Sequence, residues 1–178
     1  MGETKATKNW FARHAEAEAK KDTMPYFERV GNIVAVVVII LVILYFVAHQ
    51  MWSTGFFTSK FGTLEAFLFY VSLAFGIVAP ALRGLFGRKN LARLFEIFGF
   101  VLFTVALAWL FTVFPFEFAY FADVLPNFLR FLLQWISNDI ARVLMVLGII
   151  ATPVMAIYTA TLYVFVRREL SKPTQKAA

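Results

Sequence analysis

The sequence predicts an all-α integral membrane protein. It would have four transmembrane helices, both termini on the cytoplasmic side, and an amphipathic interfacial helix between the third and fourth spans. Three observations carry this. Of 178 residues, 61 % are apolar and 16 % charged, against about 45–50 % and about 25 % in soluble domains. Four long runs are almost free of charge. Lys and Arg gather in alternate connections between those runs.

A helix needs about 20 mainly apolar residues to cross the hydrocarbon core. The first span is read at 30–52, the second at 64–83, the third at 94–115 and the fourth at 140–166. Lipid offers no water to backbone amides, so a span is a helix or part of a closed barrel. Continuous apolar runs without period-two alternation exclude barrel strands. The β-branched stretch VVVII at 36–40 would read as a buried strand in a soluble protein. The length of its run decides for helix. Segment 1–29 is mostly polar and no small-residue cleavage site follows the first run, so that span is expected to stay as an anchor.

Orientation follows from basic residues near span ends, which favour the cytoplasm. Segment 1–29 holds Lys5, Lys8, Arg13, Lys20, Lys21 and Arg29. The 84–93 loop with its flank holds Arg83, Arg88, Lys89 and Arg93, and the 167–178 tail holds Arg167, Arg168, Lys172 and Lys176. The opposite side has only Lys60, Arg130 and Arg142. An even number of spans therefore puts both termini in the cytoplasm, in a cell (plasma or inner) membrane. A pI near 9.7 invites nucleic acid as a partner, but basic residues hugging span ends are topology determinants. Arg83, Arg88, Lys89, Arg93, Arg167 and Arg168 are expected to contact anionic lipid, each worth about 1 kcal/mol near the surface.

Two segments are not spans. Residues 10–22 are rich in Ala, Glu and Lys, good helix formers, and Pro25 stops the run. They read either as a short interfacial helix tacked by Trp10 and Phe11 or as a solvated leader. In the outer loop, 116–139, Asn127, Arg130, Gln134 and Ser137 recur at helical spacing. They predict the polar face of a helix lying in the membrane plane. A fifth span there would bury Arg130 at about 2.5 kcal/mol or more, and is rejected.

Ionisable residues at membrane depth are the candidate polar or ion site. Glu96 follows Arg93 by three residues, so the two share a helix face and read as an ion pair at a helix entrance. Glu65 precedes the second span, where a carboxylate suits the helix N-terminus. His49 ends the first span. With no Cys and only His14 and His49, no cofactor or metal site is expected, and no catalytic constellation is found. Helix packing is expected at Gly148, Thr152, Ala156 and Ala160, every fourth residue, and at Ser72 and Gly76. Pro80 and Pro153 are expected to kink their helices. The 22 Phe serve as lipid-facing bulk or as ridges for docking. The functional expectation is a non-catalytic accessory subunit that packs against a larger membrane complex or its own copies. The alternative is a small channel or transporter assembled as a homo-oligomer.

Overall fold

The fold is known from a computed structural model that describes residues 10–20 and 22–172. Lys5, Lys8, Lys21 and Lys176 of the basic tally, and the side chain of Phe11, lie outside the described residues. The long helices form over the charge-poor runs, and a short charged one precedes them. In chain order they are α1 (Trp10–Lys20), α2 (Tyr26–Met51), α3 (Thr63–Phe75), α4 (Val78–Phe86), α5 (Lys89–Val113) and α6 (Asn138–Leu170). Two 3₁₀ turns, Phe118–Tyr120 and Asn127–Leu132, lie between α5 and α6. Among the described residues there is no strand, only the isolated bridges Thr23–Arg88 and Phe57–Phe116. Four stretches are long and apolar enough to cross a membrane: Tyr26–Met51, Thr63–Phe86, Lys89–Val113 and Asn138–Leu170.

The helix ends have local causes. Pro25, in extended conformation, precedes α2. The Glu65 carboxylate accepts from the Gly62 N–H at 3.1 Å and closes the first turn of α3. Gly87, at φ 66°, ends α4 in the left-handed conformation that favours glycine. Asp22 caps α5 from outside, its carboxylate accepting from the Asn90 N–H at 2.8 Å and its carbonyl from the Lys89 N–H at 3.0 Å. Ser137 accepts from the Ile140 N–H at 3.3 Å and caps α6.

The second span is broken. α3 stops at Phe75 and α4 starts at Val78. Pro80 has no N–H for the Gly76 carbonyl four residues back, and its ring crowds that carbonyl. The interruption therefore falls one turn before the proline. By contrast α6 continues through Pro153 as a single helix.

α5 lies between α6 on one side and α3 with α4 on the other, while α2 packs mainly on α4. Two glycines set the closest approaches. A Cβ at Gly148 would stand 2.6 Å from Leu107 of α5, and one at Gly84 would stand 2.8 Å from Ile33 of α2. Thr152 meets Thr104 of α5 at 2.7 Å between hydroxyl oxygens, and Ala156 is buried. The small-residue stripe of α6 is thus spent, at Gly148 and Thr152, on the internal contact with α5. Ala160 is half-buried, Ser72 is buried, and Gly76 is exposed at the α3–α4 break.

With 33 residues, α6 is about 50 Å long and outruns a hydrocarbon core of about 30 Å. α1 packs on its C-terminal part, with Ala19 against Leu162 and Val166. That contact gathers α1, the α4–α5 turn and the end of α6 at one end of the molecule.

The loop between α5 and α6 differs from the expected helix over 127–138. Only Asn127–Leu132 is helical, as a 3₁₀ turn. Ser137 belongs to the cap of α6, and Arg130 folds back to Asp123, at 3.2 Å, and to the carbonyls of Asp123 and Leu125. A guanidinium that finds an acid and two carbonyls within its own loop no longer marks a free polar face; Asn127 and Gln134 stay exposed.

Gly148→Leu is expected to lower the thermal midpoint in detergent by an amount equivalent to about 1–3 kcal/mol of overpacking. Gly31→Ala, where a Cβ meets nothing within 4 Å, is expected to raise it through helix propensity, by up to about 1 kcal/mol. Circular-dichroism melts of the two variants check the pair.

Candidate functional site

Three places concentrate polar chemistry: a groove at the α3–α4 break, an ionic end, and an aromatic end. In the groove, non-helical backbone at membrane depth is tolerated because it lines a cavity. That cavity measures about 270 Å³ and is lined by Gly76 and Pro80, by Glu96, Gly99 and Phe103 of α5, and by Thr152 of α6. A second cavity of about 220 Å³ shares Ser72 and Phe103 and reaches Phe46, Phe56 and Phe116 toward the aromatic end.

The polar groups along this route are satisfied locally. The Ser72 hydroxyl donates to the Phe69 carbonyl at 2.9 Å. Thr104 and Thr152 lie 2.7 Å apart, and each is within bonding distance of a carbonyl one turn back, Phe100 at 2.7 Å and Gly148 at 2.8 Å. Two hydroxyl protons cannot make all three bonds, so one carbonyl contact gives way to the inter-helix bond. Glu96 accepts from Arg83 at 2.5 Å. The single carboxylate of the groove is therefore already paired, and the cavity suits apolar groups.

The ionic end joins four helices through their charges. Arg93 of α5 donates to Glu18 of α1, Lys89 of α5 meets Glu28 of α2 at 2.7 Å, and Arg83 of α4 meets Glu96 of α5. Arg29 of α2 donates to the carbonyls of Gly84 and Leu85 at 3.0 and 2.7 Å, satisfying the last turn of α4. The Met24 N–H adds a bond to the Gly87 carbonyl at 2.8 Å. Arg93 is 6 % exposed, so its charge lives or dies by Glu18.

At the aromatic end the α2–α3 and α5–α6 loops clasp each other. Thr58 N–H donates to Pro115 carbonyl at 3.0 Å and Glu117 N–H to Phe56 carbonyl at 2.8 Å. Phe46, Phe56, Phe57, Phe69, Phe116 and Phe121 fill the interior, with edge and tilted ring contacts from 4.8 to 6.3 Å. Phe114 holds φ 42° at the end of α5, and the Arg142 guanidinium sits 4.3 Å over its ring.

His49 is 1 % exposed in this cluster. Its Nε2 lies 3.1 Å from the Phe121 carbonyl, which accepts only, and its Nδ1 lies 2.6 Å from the Thr54 hydroxyl. These partners assign the proton to Nε2 and leave Nδ1 accepting from Thr54. The Tyr45 hydroxyl donates to the same Phe121 carbonyl. His49 is thus a fastener of α2 to the α5–α6 loop, with both ring nitrogens engaged.

His14 lies at the opposite end, its Nε2 3.5 Å from the Tyr158 hydroxyl. Among the described residues no group of three or more His, Asp or Glu side chains is placed to hold a metal. No protein family model, no curated protein and no solved structure matches the chain.

The residues singled out by sequence are dispersed. Arg93 and Glu96 do not pair with each other: each finds a partner on another element, Glu18 and Arg83. Adjacency on one helix face loses to partners that cross between helices and lock them. Glu65 accepts from the Trp109 indole N–H at 3.0 Å besides capping α3. Arg167 contacts Tyr163, at 3.1 Å from its hydroxyl, Arg168 lies over Phe165, and Arg88 is exposed. The reading from sequence missed Glu18, Asp22, Glu28 and Arg29 as partners of the basic loop. For the acids the signal was available, since Glu18, Asp22 and Glu28 lie in segment 1–29 opposite a loop rich in the complementary sign; Arg29, which donates to carbonyls of α4, had none. Thr54, Tyr45 and Phe121 had no such signal.

Glu18→Gln is expected to cost about 3 kcal/mol, because it leaves Arg93 buried and uncompensated. Glu28→Gln, whose side chain is 48 % exposed, is expected to cost less than about 1 kcal/mol. Chemical denaturation of both variants in the same detergent checks the ratio; equal losses would contradict the burial argument.

Proposed function

We propose that the chain is a non-catalytic, multi-pass subunit of the cell (plasma or inner) membrane that packs against a larger membrane complex or its own copies. The observation that carries this reading is the one-sided use of α6. It leans on α5 and α1, while Val143, Leu147, Ile150, Val154 and Ile157 form an exposed apolar strip along its other side. α2 is open in the same way at Val34, Val37, Val38 and Leu41. Two spans thus carry broad free faces, and helix association in lipid proceeds by packing of such faces.

In this reading the ionic end faces the cytoplasm, with the N- and C-terminal segments on that side, because basic residues collect there. Arg83, Arg88, Lys89, Arg93, Arg167 and Arg168 then meet anionic lipid. The Asn127–Leu132 turn rests at the outer interface, where exposed Phe128, Phe131 and Trp135 suit the headgroup boundary.

The alternative, a small channel or transporter formed by several copies, is favoured by one feature. Broken helices that line cavities at membrane depth also build transport sites, and the α3–α4 break does so beside Glu96 and Thr152.

Purification in mild detergent, with native mass spectrometry of everything that co-elutes, separates the readings. The subunit reading predicts a stoichiometric particle larger than the 20.3 kDa chain, reduced to one chain by Ile150→Gln with Val154→Gln at unchanged helix content. A monomer that carries out a reaction contradicts it. Ion or solute flux in proteoliposomes, abolished by Thr152→Ala, supports the alternative.

A further inference from the structure

The ionic end contains a cavity that the ion pairs do not use up. It measures about 220 Å³ and is lined by Met24, Glu28 and Asn32 of the α2 side and by Arg83, Lys89 and Arg93. The lining therefore carries three cations against one carboxylate. Glu18 and Glu96, which pair with Arg93 and Arg83, are not part of it. Their ion pairs fix where the two guanidinium groups sit.

Two further details point to a missing partner. Arg93 is 6 % exposed, yet its Nη1 has no hydrogen-bond partner. A buried donor left unpaired costs about 1–3 kcal/mol, and more on a charged group. Glu28, the one carboxylate in the lining, is 48 % exposed, so it can turn to water when another anion takes its place beside Lys89.

We propose that this cavity under the α4–α5 turn binds a phosphate group, as a lipid headgroup or as a free phosphate. Arg83, Lys89 and Arg93 are the ligating cations, with Arg guanidinium suited to phosphate oxygens and Lys as a point charge. A water occupies about 30 Å³, so the cavity has room for a group of five heavy atoms. Nη1 is sealed from solvent and unpartnered, so binding requires the Arg93 head to turn until Nη1 meets a phosphate oxygen. Arg93 lies in the first turns of α5 and Arg83 in the last turn of α4. Both are then within about 6 Å of helix ends, the depth of the headgroup layer. The site rests on the lipid-facing reading given above for this end and deepens it, replacing a diffuse basic surface by one built cavity.

The test is the thermal midpoint of the full chain in neutral detergent, titrated with phosphatidylglycerol, with phosphatidylcholine and with inorganic phosphate. Phosphatidylglycerol is expected to raise the midpoint by several degrees and phosphatidylcholine to leave it unchanged. A rise with inorganic phosphate as well assigns the site to free phosphate chemistry; a rise with phosphatidylglycerol alone assigns it to a lipid headgroup. Lys89→Gln is expected to lose most of the rise, and the paired variant Lys20→Gln with Lys172→Gln, two exposed lysines at the same end, to keep it. Should Arg93→Gln fail to fold, Lys89→Gln carries the test. No rise in the wild-type chain overturns the cavity and the lipid reading together. Equal loss in Lys89→Gln and in the Lys20/Lys172 pair overturns the cavity alone and leaves a general basic face. A full rise in Lys89→Gln also overturns the cavity.

Discussion

In a hydrocarbon medium each backbone amide and each charge must find its partner inside the protein, and the features of this fold follow from that demand. It explains why α3 and α4 can be separate helices only where a cavity and the flank of α5 receive the loosened backbone. It explains why Thr104 and Thr152 face each other and not lipid. It also explains why cations near the membrane, at Arg83, Lys89 and Arg93, each point at a carboxylate on a different helix. Packing then follows the same logic: Gly148 and Gly84 let backbones approach so closely that a Cβ would collide with Leu107 or Ile33, since helices in lipid associate by contact and not by hydrophobic exclusion.

The two ends of the molecule solve the demand differently. One end is tied by ion pairs that join α1, α2, α4 and α5, with Arg29 closing the C-terminal carbonyls of α4. The other is tied by rings and by the Phe121 carbonyl, which collects donors from Tyr45 and His49. Salt and charge reversal act on the first end; loss of aromatic volume acts on the second. α5 connects them, because it supplies three of the ionic residues, the floor of the groove and Leu110 in the aromatic interior. Disturbance of α5 is therefore felt at both ends, while α2 and α6 each have a face that answers to nothing within the chain.

Much of the architecture was legible in the sequence, because hydropathy and span length are properties of single segments. All-helical structure and four long apolar helices followed from the charge-free runs. The small-residue spacing on α6 was also legible as a packing signal, though only Leu107 and Thr104 reveal that Gly148 and Thr152 face α5. What could not be read were pairings between segments distant in sequence. Arg93 and Glu96, three residues apart, looked like a pair; Glu18 and Arg83 took them instead. Pro80 signalled a kink, but the break lies at Gly76, since a proline disturbs the carbonyl one turn earlier. The period of Asn127, Arg130, Gln134 and Ser137 suggested one helix, and it failed because Ser137 starts α6 and Arg130 is consumed by its own loop.

The chain contains no Cys, so single cysteines report sidedness without background. The decisive measurement is labelling of Lys60→Cys, Asn127→Cys, Arg88→Cys and Ser171→Cys in sealed, right-side-out vesicles with a membrane-impermeant maleimide. Four crossings with the ionic end inside predict that positions 60 and 127 react from outside, and that 88 and 171 react only after the vesicles are opened. Reaction of 60 and 88 from the same side would mean that the broken α3–α4 segment does not cross, and would contradict the four-span arrangement on which the pairing of the two ends depends.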